Sequence, residues 1–174
     1  MNHKHNHKVE EQLPIAKPWT NWIPLMIVFG YIFLLTFVTM SLSVWSLQSF
    51  LSFSMGYFFV VFSMFKMINL KGFAEGYSQY DLISKKWYGW GYIYPFIELC
   101  IGILYLGLVN ETWLHVTTII ASAIVVIGVS IELKKHGKFY CACLGTVLKV
   151  PLTKVSLAEY LVMAGMALYM LVSY

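Results

Sequence analysis

Arginine is absent from the 174 residues, and charge of either sign is scarce, at 11% of the chain. A soluble domain carries about 25% charged residues, so this chain could not cover a water-facing surface. That excludes a soluble globular domain. Three cysteines are too few for a disulfide framework, which excludes a secreted mini-protein. No nucleotide-binding glycine loop, zincin helix or serine-nucleophile elbow occurs, and Gly89-Trp90-Gly91 lacks the strand–turn–helix setting that such a loop needs. What remains is apolar: 59% hydrophobic residues, mean hydropathy +0.70, and an aromatic load of 12 Phe, 12 Tyr and 6 Trp suited to membrane interfaces. The net charge of +4 rests on lysine alone and reads as a topology signal, with membrane lipid as the surroundings and no nucleic acid as a partner.

Between Lys17 and Lys66 lie 48 residues without an acidic or basic side chain. As one helix they would run about 72 Å, more than twice a hydrocarbon core of about 30 Å. The run must therefore turn once. Ser41, Ser43, Ser46, Gln48 and Ser49 around Trp45 supply the polar relief, so spans are predicted over Ile23–Val44 and Phe50–Asn69. Part of 41–54 could instead lie flat as a short amphipathic helix. Tyr88–Val109 and Trp113–Ile131 follow as a hairpin across Asn110-Glu111-Thr112. Leu157–Tyr174 closes the series, opened by Ser156-Leu157-Ala158-Glu159, which fits a capping box. The expectation is an all-α polytopic membrane bundle of about five transmembrane helices over 23–174, preceded by a polar tail over 1–22. Four spans plus one interfacial helix are the alternative.

Orientation follows from lysine. With five spans, the tail carries three lysines, the 66–86 loop four and the 134–154 loop five, all on one side. The positive-inside rule makes that side cytoplasmic, with the C-terminus outside. Span one, without a small-residue cleavage signature, reads as a retained signal anchor. The chain is expected to be integral to a bacterial inner membrane.

The sharpest chemical feature is Cys141-Ala142-Cys143. Two thiols one residue apart suit a soft ion such as Cu(I), or a strained and labile disulfide; nearby lysines favour thiolate. Two small residues in a tight loop are the bland alternative. Glu98, in mid-span, is the second feature, because an intramembrane carboxylate costs about 2.5–3.5 kcal/mol on insertion scales. Gly91, Tyr94, Gly102 and Tyr105 share its helical face, and Tyr94 is its candidate partner. A ligand or proton carrier competes here with a neutral carboxyl acting as glue between helices. Glu98→Gln is expected to keep the fold and lose function if the carboxyl is a ligand or proton carrier. Cys100 is expected to pack against another neighbour, and His115 to sit at the interface. Auxiliary ligands for a soft metal would be His136, the tail residues His3, His5 and His7, and Met163, Met166 and Met170 on the last helix. Methionine at that spacing is as well explained by packing.

The combination resembles the MauE/DoxX-like family of small redox-associated membrane proteins over most of 55–170. The pieces are Met55-Gly56-Tyr57-Phe58-Phe59, Gly72-Phe73-Ala74 with Tyr77, Tyr80 and Asp81, Tyr94-Pro95-Phe96-Ile97-Glu98, and Cys141-Ala142-Cys143-Leu144-Gly145 followed by Pro151. The resemblance implies a helical membrane bundle that assists maturation of a partner oxidoreductase, of methylamine-utilisation type, and relatives of this subtype look like companions of heavy-metal-associated proteins. Residue chemistry and resemblance together suggest an accessory protein handling soft metal or thiol redox equivalents through the CxC. The alternative is a non-catalytic subunit or assembly factor of a transporter or oxidoreductase.

Overall fold

The computed structural model describes residues 23–43, 45–78, 81–109, 111–136 and 153–173. Among these residues the chain is all-helical, with α1 (Ile23–Ser41), α2 (Leu47–Ile68), α3 (Leu70–Tyr77), α4 (Leu82–Lys86), α5 (Trp90–Leu106), α6 (Thr112–His136) and α7 (Thr153–Val172). Among the described residues two apolar stretches, Leu47–Ile68 and Thr112–Ile131, are long and apolar enough to cross a membrane. The five longer helices overlap the five predicted segments, with ends displaced by a few residues.

The polar relief around Trp45 works as a helix start. Ser46 is extended, and its side chain accepts a hydrogen bond from the Ser49 amide at 3.0 Å, satisfying one of the first orphan donors of α2. Residues 47–54 continue without a break into α2, so no separate flat helix forms there. The capping box predicted at Ser156 is also replaced: α7 is already helical from Thr153, and an N-cap residue must stand outside the helix. Asp81 does cap α4, its Oδ2 accepting from the amides of Ile83 at 2.9 Å and Ser84 at 2.7 Å.

The core is arranged on two levels. One joins Phe73, Tyr77, Tyr94, Val125, Val129 and Tyr160, and the other gathers Met55, Phe59, Ile101, Tyr105, Leu114, Met163 and Met170. Rising numbers along α6 lead to the first level and along α5 and α7 to the second, so α6 runs antiparallel to both. The short helices α3 and α4 close the first level. On the flank, Leu25, Val28 and Ile32 of α1 pack against Phe62 of α2, and Thr39 and Tyr57 share a hydrogen bond of 2.6 Å.

The tightest approach is between α2 and α5, at Gly56 and Gly102. A Cβ added at Gly102 would stand 2.9 Å from Phe59 Cβ and 3.0 Å from the Gly56 carbonyl oxygen; one at Gly56 would meet Leu106 at 2.7 Å. Absent side chains let the two backbones come together, as small residues do between membrane helices. Outward, the surface is apolar: Phe33, Leu34, Phe37, Ile103, Val162 and Leu168 are all exposed.

Candidate functional site

A buried lysine opposite a buried carboxylate occupies the first level of the core. Lys66, in the last turn of α2, is 1% exposed, and Glu98 of α5 is 3% exposed. Lys66 Nζ donates to Glu98 Oε2 in an ion pair. Tyr160 of α7 closes the triangle: Nζ lies 3.4 Å from its hydroxyl, which in turn donates to Glu98 Oε1 at 3.4 Å. The ammonium also stands 5.2 Å from the centroid of Tyr94 and 5.6 Å from that of Phe73, within cation–π range. Three helices distant in sequence thus converge on one charge pair.

Lys66 departs from the lysine partition, which counts it with the cytoplasmic 66–86 loop. It lies within the predicted span Phe50–Asn69, as α2 bears out, and it is buried together with Phe59, Phe62 and Ser63 on the same helical face. The physical reason is pairing. A buried ammonium is tolerated where a carboxylate compensates its desolvation. Lys71, Lys85, Lys86 and Lys134 are exposed, as predicted for loop lysines.

The predicted face of Glu98 is the inward face of α5: Gly91, Tyr94, Gly102 and Tyr105 are all buried. Tyr94 lies one turn before Glu98 on that face, its ring centroid 5.2 Å from the Lys66 ammonium that pairs with the carboxylate. Pro95 sits within α5 and leaves the carbonyl of Gly91 without its helical donor. Tyr105 serves another network. Its hydroxyl donates to Thr118 Oγ1 at 3.2 Å and lies 3.0 Å from His115 Nδ1, while Thr118 donates to the Leu114 carbonyl at 2.9 Å. With the tyrosine proton spent on Thr118, His115 Nδ1 is the donor to Tyr105. His115 is 1% exposed and packs inside the bundle, in the first turn of α6. Tyr105→Phe is expected to lower stability by about 1–3 kcal/mol, the loss of two buried hydrogen bonds at about 0.5–1.5 kcal/mol each. The unfolding midpoint in detergent, compared with wild type, measures it.

Cys100 is a free thiol, exposed on the outer side of α5 and not part of the described core clusters. Met163 and Met170 are buried in the second level and Met166 packs against it. Their thioethers fill core space, and among the described residues no three His, Cys, Asp or Glu side chains converge as a metal site. Cys141, Cys143, His3, His5, His7 and the side chain of His136 lie outside the described residues. The helices flanking the Cys pair end at His136 and begin at Thr153.

Lys66 and Tyr160 are the site residues that sequence reading missed. Lys66 carried a signal: it continues the inward stripe of Phe59, Phe62 and Ser63 at helical spacing. Tyr160 carried none, since nothing local relates it to a carboxylate 62 residues earlier.

Among the described residues, fold and site define a small helical bundle, apolar outside, with a buried ion pair where α2, α5 and α7 meet. The family described as methylamine utilisation protein MauE matches residues 42–173, most of the chain, and the protein belongs to that family. Neither a curated protein sequence nor a solved structure matches it.

Proposed function

We propose that this is an integral membrane accessory protein of methylamine utilisation, a five-span bundle of the bacterial inner membrane with a cytoplasmic N-terminus. It supports maturation of a partner oxidoreductase by handling soft metal ions, Cu(I) foremost, or thiol redox equivalents at Cys141 and Cys143. The observation that carries the membrane part is the inverted distribution of polarity. Lys66 and Glu98 are sealed inside while large apolar side chains cover the flanks. In water that surface would aggregate; in lipid it is the expected exterior. The family supplies the link to methylamine. For the chemistry, support comes from the CxC spacing and from the exposed lysines on α3, α4 and the end of α6, which favour a cytoplasmic and therefore reducing side for the segment between α6 and α7. Reduced, ionised thiols hold a soft ion better than they oxidise a client.

The test is metal stoichiometry after anaerobic loading with Cu(I) and desalting. Wild type is expected to retain the ion, and the Cys141→Ser/Cys143→Ser variant to lose it while keeping its helical content. Equal metal in both would remove the metal role. A reporter active only outside the cytoplasm, fused after Tyr174, is expected to be active; silence there with activity in the 134–154 segment would invert the topology and favour thiol oxidation of an external client.

A further inference from the structure

A cavity of about 400 Å³ lies between α1, α2 and α7, outside the ion pair but next to it. That volume is within the range of small-molecule sites, about 300–1,000 Å³. Phe29 and Phe33 of α1, Phe50 and Phe58 of α2 and Met166 of α7 line it, and Glu159 of α7 is its one ionisable lining residue. Glu159 Oε1 is sealed from solvent and finds no hydrogen-bond partner among the described residues.

Lys66 acts electrostatically on Glu159 as well as on Glu98, so one ammonium faces two carboxyls. Asp81, also buried, is engaged in capping α4. Among the described residues Glu98 and Glu159 therefore share the Lys66 ammonium, and these two carboxyls together are short of one positive charge or one proton. Besides the aliphatic Ile32 and Val162, the described lining consists of groups compatible with a cation: four phenyl rings, two thioethers, the Glu159 carboxyl, and the oxygens of Thr36 and Ser54. The Thr36 hydroxyl already donates to the Ile32 carbonyl, so its oxygen is left as an acceptor. Among the described residues no side-chain amide or guanidinium lines the space. Position along the helices adds a direction. Glu159 lies six residues into α7, roughly 9 Å from its start, and the cavity extends from there toward Phe50 in the first turn of α2.

We propose that this cavity binds an organic ammonium with an apolar body, its head at Glu159 and its body along the phenyl rings. The carboxylate supplies a charge-assisted hydrogen bond, the rings supply cation–π attraction and apolar contact, and the head makes good the missing positive charge. Methylammonium has the head without the body and leaves most of the cavity empty. The head could come from a free amine or from the ethanolamine group of a lipid; both present the same chemistry.

The experiment uses the full-length protein in discs of phosphatidylglycerol, titrated calorimetrically with 4-phenylbutylamine, with the neutral isostere 4-phenylbutanol, and with methylamine. The amine is expected to bind at one site, roughly tenfold or more tighter than the alcohol, as a charge-assisted hydrogen bond warrants, and methylamine far more weakly. Glu159→Gln should level amine and alcohol, and Val162→Trp, an exposed position on the cavity rim, should weaken both. Equal affinity of amine and alcohol for wild type overturns the proposal, as does an undiminished preference for the amine in Glu159→Gln. Methylamine binding as tightly as the longer amine overturns the role of the apolar body. Adding phosphatidylethanolamine to the discs separates the sources. A weakened apparent amine affinity supports a lipid head as occupant, and an unchanged one supports a free amine.

Discussion

Lys66→Met costs the folded protein about 3–5 kcal/mol, the penalty for leaving one member of a buried ion pair uncompensated. Glu98 would remain 3% exposed with its ammonium gone, and the Tyr160 hydroxyl at 3.4 Å is too weak a partner to replace it. Glu98→Gln meets the mirror problem, because Lys66 then keeps its charge against a neutral amide. A fold indifferent to Glu98→Gln, as expected from sequence, is therefore replaced by a destabilised one. Lys66→Met/Glu98→Leu should recover most of the loss, since apolar pairs of similar volume often match or exceed a buried ion pair. Unfolding midpoints of the four proteins in one detergent give the comparison. Single variants as stable as wild type would show that the pair carries no buried charge. The same double variant separates a structural role from a functional one. If it folds and keeps the function proposed above, the pair is scaffolding.

Gly102→Val is expected to cost about 1–3 kcal/mol or more, the range for forcing volume into a packed core. Its Cβ alone would stand 2.9 Å from both Phe59 Cβ and Val60 Cγ2. Neither neighbour is the free end of a long side chain, so α2 itself must move away. Glu98 is one turn from Gly102, and that movement pulls Lys66 from its carboxylate. The control is Gly165→Ala on α7, where an added Cβ meets nothing within 4 Å. That change should be neutral or stabilise by up to about 1 kcal/mol through helix propensity. Comparable losses at both glycines would mean that helix propensity, and not the α2–α5 approach, governs stability.

Much of the architecture was legible because it follows from solvent and period. A stretch of 48 residues without charge cannot be one straight helix in a bilayer, and the serines around Trp45 mark where it turns. The inward face of α5 was readable from Gly91, Tyr94, Gly102 and Tyr105 around Glu98, since 3.6 residues per turn put them on one side. Helix ends were less so. The start of α7 at Thr153 precedes Ser156 because a capping signature does not prevent an earlier turn from forming.

Composition and hydrophobic pattern, on their own, determined helices with an apolar exterior, near the positions observed among the described residues. A charge-poor, arginine-free sequence leaves few other ways to satisfy its backbone. Which polar residues meet was decided only by the tertiary structure. Lys66 and Glu98 are 32 positions apart and Glu98 and Tyr160 are 62 apart, and no local rule couples residues at those separations. The close approach of α2 and α5 at Gly56 and Gly102 and the packing of α7 beside them bring the three together. Desolvation then turns a lysine that sequence assigns to water into the counter-charge of a buried carboxylate.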